Sequence, residues 1–360
     1  MQLYGREWTR RELEMHVGRL EQVGGVRRFT GADGPEAGMD FIQVRTGAGL
    51  SYMVTPTKGL DISLAEYGGI PISWQSAGGD VHPMFYEPDG AGWLRTASGG
   101  LMMTCGLMHA GSPSTYEGRS YGLHGRAHHT PARHVCAEGN WAGEEYEMVI
   151  RGTVEESMLF GGHLRLRREI RSRLGHNAIR IIDRVENAGF EPVPHMMLYH
   201  FNFGYPLLSE HTAIRFPEGS TATGIGGAAR EGHKGFQQPQ SGIGESVYYH
   251  EPIGSDSASV TLTQPYFPQA GGAGVPVSVT LEWSAHTLPR LVQWKMPGAG
   301  VYALGLEPSN CGVEGRAAEA ASRGIPMLQP GEEVMYTLGL NVEAFPGNNG
   351  TRDRIKDNGS

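Results

Sequence analysis

Between residues 163 and 174 the chain reads HLRLRREIRSRL. Leu164, Leu166, Ile170 and Leu174 fall on one face of an extended backbone, and Arg165, Arg167, Glu169, Arg171 and Arg173 fall on the other. Successive strand side chains point to opposite sides, so this period of two predicts a long half-buried strand. The following LGHN turns the chain into AIRIIDRVENAG, a hairpin partner. The alternation recurs at Tyr146/Met148/Ile150, at Val277/Val279/Leu281/Trp283 and at Val334/Tyr336/Leu338/Leu340/Val342. Clusters of Gly, Pro, Asn and Asp separate these runs. Only TRRELEMHVGRLEQVGG, near the N-terminus, has a helical period. There Thr9 and Glu12 have capping-box spacing, Leu13, Val17 and Leu20 share a face, and Gly24 can end the helix. The pattern predicts an all-β protein, a large antiparallel β-sandwich with a short N-terminal helix. No repeat and no linker divides it. The expected organisation is an N-terminal extension of helix and strand over 1–45, the sandwich over 46–345 and a polar tail over 346–360.

Composition narrows the function without choosing it. The formal charge is −8, with no basic run, which argues against nucleic acid and anionic membrane surfaces as partners. No apolar run approaches the roughly 20 residues of a membrane span, and MQLYGREWTRRELEMH has no signal-peptide core, so a cytoplasmic location is expected. Cys105, Cys136 and Cys311 are odd in number and scattered, which suits a reducing compartment. The 54 glycines, about twice the usual ~7%, fit a fold with many tight turns.

Three segments put polar side chains where packing alone does not ask for them. In YGLHGRAHHTPA, Gly122 and Gly125 flank His124, and Arg126, His128 and His129 follow. In MMLYHFNFG, Met197, Tyr199, Phe201 and Phe203 form a core face, while Met196, Leu198, His200 and Asn202 form a face that begins apolar and turns polar. In YALGLEPSNCG, the small Ala303 and Gly305 lead along one face to Glu307 and leave room for a ligand beside the carboxylate. Taken singly, a histidine among aromatics is usually structural and a glutamate at a strand end is usually solvated. A carboxylate and an imidazole on neighbouring strands form an acid–base pair, with ordinary pKa values near 4.3 and 6.5. Sugar ring opening needs such a pair, one group taking the proton of the anomeric hydroxyl while the other protonates the ring oxygen.

At these segments the chain resembles the aldose 1-epimerase (galactose mutarotase) superfamily, in a less characterised branch. The matching stretches are PTKGLDISLAEYGGIPISW, SGGLMMTCGLMHAG, YGLHGRAHHTPA, LYHFNFGYPLL, LPRLVQWKM and LGLEPSNC. The resemblance implies a sandwich of the supersandwich type and an isomerase that interconverts the anomers of a free monosaccharide or sugar acid. It implies Glu307 as the base, His200 as the acid and His124 as a ligand near the ring oxygen. Arg95 and Arg126 are candidates for the family's arginine. Asn202, Asp61, Gln293 and Lys295 are candidate ligands for sugar hydroxyls or a substrate carboxylate, and Trp74, Trp294 and Tyr205 for stacking.

Other readings stay open. The same scaffold serves as a non-catalytic carbohydrate-binding protein, since fold alone does not give function. A metal-dependent sugar isomerase or lyase would draw on His124, His128, His129 and Glu138, although the spacing defines no metal site. A glycosidase would need a second carboxylate near Glu307, for which Glu314 is the nearest in number. Cys311 has no companion base. No cofactor is expected, the expected partner is a small-molecule carbohydrate, and a homo-oligomer is left open.

Overall fold

The computed structural model describes residues 1–269 and 272–345. The polar tail expected over 346–360 lies outside the described residues. Two antiparallel sheets dominate. The larger runs Thr221–Ile225, Ser246–Glu251, Arg290–Gly298, Val301–Ser309, Leu198–Gly204, Met102–Cys105, Asp61–Tyr67, Leu50–Thr55, Asp40–Arg45 and Gly25–Thr30 from edge to edge. The second runs Arg133–Ala142, Glu145–Ser157, His163–Arg173, Ala178–Asn187, Glu333–Ala344, Gly272–Ser284, Ser257–Gln269 and Ala213–Arg215. Residues 25–45 thus supply edge strands of the large sheet, continuous with the sandwich. Among the described residues no helix is long and apolar enough to cross a membrane.

The alternating runs place the core between the sheets. Tyr52, Ile62, Tyr199, Phe201, Leu304 and Leu306 of the large sheet meet Ile150, Leu166, Ile170, Ile181, Leu281 and Leu338 of the second in one buried cluster. Each such aliphatic or aromatic side chain contributes about 1.5–3 kcal/mol on burial. The large sheet also buries part of its other face. Met103, Cys105, Met196, Leu198 and Cys311 pack there beneath Trp93, which the short turn Gly92–Arg95 carries across the sheet. A strand covered on both sides loses the clean polar/apolar alternation, and all seven residues of Leu198–Gly204 are buried.

The helical expectation needs two corrections. The capping box at Thr9 and Glu12 forms, but the helix spans only Arg10–His16 and ends where Val17 turns extended (φ −128°, ψ 134°). Seven residues are too few to hold a helix alone, and Leu13 is kept in place by Leu3 and Leu174. A second helix, Arg316–Ser322, joins it, formed by the strongly helix-favouring RAAEAAS.

Inside the sandwich a buried arginine breaks the period of its strand. Arg168 shares its strand face with Leu166 and Ile170, and it is buried between the sheets. Its guanidinium lies 2.6 Å from Asp183 and 2.7 Å from Asp61, which belongs to the opposite sheet. Asp61 also accepts from the Thr104 amide at 2.8 Å and meets His128 Nδ1 at 2.7 Å, while the Tyr199 hydroxyl donates to Asp183 at 2.7 Å. These ionic and hydrogen-bonded contacts pin the two sheets together directly behind the strand that carries His200.

Candidate active site

The ladder between Leu198–Gly204 and Val301–Ser309 pairs Leu198 with Ser309 and Asn202 with Gly305. That register sets position 200 opposite position 307. His200 Nε2 stands 3.1 Å from Glu307 Oε1. The two atoms are in contact but not aligned as a hydrogen bond, and Glu307 Oε1, His200 Nδ1 and Asn202 Oδ1 are buried without a hydrogen-bond partner among the described residues. Buried polar atoms are nearly always satisfied, and a cluster of exceptions is a sign of a ligand site. The small side of the glutamate strand is a steric requirement. A Cβ added to Gly305 would lie 2.6 Å from Glu307 Oε1 and 3.1 Å from His200 Cε1.

These side chains form the floor of a cavity of about 420 Å³. Trp74, Trp93 and Trp294 wall it, with Met103, Leu94, Leu123, Val292 and Val313 filling between them, and Ser76, Ser112, His124 and Glu245 add polar atoms. A largely apolar concavity with a few convergent polar groups is the usual form of a small-molecule site. Trp294 lies 5.7 Å from the His200 ring and 6.1 Å from Trp74. Glu245, on the loop before Ser246–Glu251, accepts from the Trp294 indole N–H at 2.7 Å and so fixes that wall.

His124 reaches the cavity from a tight loop. Its own φ is +55°, and a Cβ on Gly125 would meet the His109 carbonyl at 2.2 Å, so the glycine of the LHG triplet admits no side chain. The His124 ring lies 5.0 Å from Trp93 and 5.8 Å from His200, and its Nδ1 accepts from the Gly111 amide at 3.4 Å. That bond leaves Nε2 as the N–H donor. Burial and the nearby His200 hold its pKa well below the usual imidazole value.

The electrostatics of the floor follow from burial. Desolvation pushes Glu307 up to about 8, with the Glu245 charge adding to it, and pulls His200 down to about 4. Their mutual attraction at 3.1 Å works the other way, favouring carboxylate beside imidazolium. Both arrangements hold the same number of protons. At neutral pH the pair therefore carries one shared proton and no net charge.

The remaining sequence candidates lie elsewhere. Asp61 belongs to the buried contacts between the sheets. Gln293 and Lys295 are on the core face of their strand, because Val292 is the residue opposite Glu307 and Trp294 the one opposite Gly305. Gln293 bonds His250 at 2.9 Å and the His233 carbonyl at 3.2 Å, and Lys295 donates to the Gly232 carbonyl at 2.8 Å. Arg95 is exposed and pairs with Glu87 at 3.2 Å, and the exposed Arg126 lies 5.6 Å from the Tyr86 ring. Tyr205 is exposed outside the cavity, whereas Trp74 and Trp294 line it. Trp93, Glu245, Ser76 and Ser112 are the polar and aromatic lining residues that sequence reasoning missed.

Residues of the other readings are also separately engaged. His128 meets Asp61, His129 Nε2 meets Thr96 Oγ1 at 2.7 Å, and Glu138 pairs with Arg151 on the second sheet. Among the described residues no three His, Cys, Asp or Glu side chains converge to hold an ion. Glu314 accepts from the Tyr249 hydroxyl at 2.7 Å, and burial pushes the Cys311 thiol up to about 12.

The two-sheet architecture, with a tryptophan-walled acid–base pair on the large sheet, has the galactose mutarotase-like β-sandwich fold. A proposed aldose 1-epimerase from Klebsiella pneumoniae superposes with a TM-score of 0.79 at 26% identity, covering 88% of this chain and 83% of that one. A galactose 1-epimerase from Lactobacillus acidophilus gives 0.56 at 12% identity over 89% and 99% of the two chains. A galactose mutarotase-like protein from Clostridium acetobutylicum gives 0.57 at 11% over 90% and 100%. The last two similarities speak to the fold alone. The chain belongs to the family described as a domain of unknown function (DUF4432), whose model matches residues 36–342. No curated protein sequence matches it.

Proposed function

We propose that this chain is a mutarotase-like isomerase that interconverts the anomers of a free, uncharged monosaccharide. The observation that carries this reading is the pair itself, Glu307 and His200 facing each other 3.1 Å apart at the floor of a sugar-sized cavity. Glu307 takes the proton of the anomeric hydroxyl while His200 delivers one to the ring oxygen, and the C1–O5 bond breaks. Rotation about C1–C2 and reclosure with the protons returned yields the other anomer. Each proton transfer of this kind is ordinarily worth 10²–10⁴-fold. The step begins with carboxylate and imidazolium and ends with carboxylic acid and imidazole, so no net charge is created in a buried site. That neutrality makes deep burial of both groups compatible with catalysis. His124, donating through Nε2, and the unpaired Asn202 Oδ1 are suited to sugar oxygens, and the indoles offer apolar surface to its C–H faces.

The lining chemistry also supports the choice of an uncharged sugar. Among the described residues no lysine or arginine lines the cavity, while the carboxylate of Glu245 does. A uronate, sulfonate or phosphate would meet repulsion with no cation to offset it. NMR saturation transfer between anomers, run over neutral aldoses and the matching uronates, tests the proposal. Faster exchange confined to neutral sugars is expected. Failure to accelerate any of them overturns the catalytic reading, and sugar quenching of indole fluorescence without exchange would identify a binder instead.

A further inference from the structure

Away from the cavity, the end of the sandwich carries a second feature that sugar chemistry does not use. The strands Glu145–Ser157 and His163–Arg173 pair up to Ser157 and His163, so the hairpin ends in the tip MLFGG, residues 158–162. Tips of this kind are usually polar. Here Phe160 is 94% exposed and Leu159 82%, and Phe160 holds a φ of +60°, which an aromatic side chain rarely adopts. Beside the tip stand Phe190, 93% exposed, and the half-exposed Met327. Phe160, Phe190 and Met327 edge a groove of about 990 Å³. On its far side are Tyr116, Tyr121 and Arg316, whose guanidinium lies 4.6 Å from the Tyr121 ring, donates to the Met108 carbonyl and keeps a buried Nε without a partner.

The area decides what this means. An aromatic side chain presents on the order of 150–250 Å². Two phenylalanines exposed by more than nine-tenths, with Leu159, Met158 and Met327, therefore offer on the order of 600 Å² of apolar surface in one place. That is at the top of what monomers expose, and with a polar rim it reaches the ~800 Å² per partner of a standard stable interface.

We infer that this face pairs with a second copy of the chain, the Phe160 tip of each protomer seated in the groove of the other. Tip and groove adjoin on one face, which is the condition for a two-fold contact in which each surface meets the other's complement. The rim carries both signs of charge, since Glu117 and Glu191 line the groove together with Arg119, so a self-complementary contact has carboxylates and an arginine available to pair across it. The aromatic–guanidinium wall of the groove is the surface a phenylalanine ring packs on.

Sedimentation of the full chain over about 1–50 µM tests this. The wild type is expected to run as a dimer that dissociates on dilution. Leu159→Ser/Phe160→Asp, at side chains exposed by 82% and 94%, is expected to keep the circular dichroism and thermal midpoint. It should weaken the dimer at least about a hundredfold, as loss of central anchors does. Tyr266→Ser, at an exposed aromatic elsewhere, should leave the dimer intact. A wild-type monomer at about 50 µM, assemblies that grow beyond two copies, or a dimer that survives Leu159→Ser/Phe160→Asp would each overturn the inference.

Discussion

Replacing Glu307 by glutamine should remove the chemistry and strengthen the fold at the same time. The ordinary glutamate value of 4.5 rises to about 8 in the folded chain, with burial as the main cause. Between those values the native state keeps a proton that the unfolded chain has released. The associated stability is complete below pH 4.5 and is lost as pH rises through about 8. At 1.36 kcal/mol per pKa step, ionising Glu307 in place costs on the order of 5 kcal/mol, less whatever attraction His200 returns. Glutamine has the same shape and no charge to bury. Urea unfolding of wild type and Glu307→Gln should therefore nearly coincide near pH 5 and separate as pH rises. The variant should be about 2–5 kcal/mol more stable near pH 9. Anomer exchange by the same variant should fall 10²–10⁴-fold, with sugar binding largely kept. Parallel stability curves across that range would refute the electrostatic account of the site, whatever the variant did to turnover.

Three further outcomes follow from the same geometry. The pH dependence of kcat/KM should be bell-shaped, falling towards pH 4 as the pair takes a second proton and above about pH 8 as it loses its only one, and a basic limb that survives Glu307→Gln would contradict the assignment. Gly305→Ala puts a methyl 2.6 Å from Glu307 Oε1, so kcat/KM should drop at least about tenfold while circular dichroism stays unchanged; an undiminished rate would show that the carboxylate position is not critical. Arg168→Met leaves Asp61 and Asp183 buried without their guanidinium, and chemical denaturation should show a loss of about 3–5 kcal/mol, against a change under 1 kcal/mol if the ion contacts between the sheets are unimportant.

How much of this was legible in the sequence depends on the range over which each feature is determined. The alternating strands were visible because a period of two is a local property, and the hairpin of HLRLRREIRSRL and AIRIIDRVENAG forms as the pattern predicts. Arg168 was passed over, although it is the one charged residue on the apolar face of its strand, and it marks the buried ion contacts that claim Asp61. The approach of Glu307 to His200 was anticipated through family resemblance. Its physical cause, the register that opposes positions 200 and 307, is set by pairing between distant segments and has no local signature. In LVQWKM the polar members, Gln293 and Lys295, looked like sugar ligands. The parity of the strand instead turns Val292 and Trp294 to the cavity, and that parity could be read only once the pairing with Glu307 was known. Glu245 sits in the irregular SGIGES segment, where neither period nor motif marks a functional side chain. Arg95 and Arg126 match the family's arginine only by charge and place in the chain, and both are exposed and absent from the cavity lining.

The most direct test is a crystal structure of Glu307→Gln with a neutral aldose bound, since the variant should hold the sugar without turning it over. The account predicts a pyranose in the tryptophan-walled cavity, with its anomeric oxygen within about 2.6–3.2 Å of the side chain at position 307 and its ring oxygen at a similar distance from His200. A sugar held with its reducing end away from these two side chains, or lodged only in the groove beside Phe160, would contradict it.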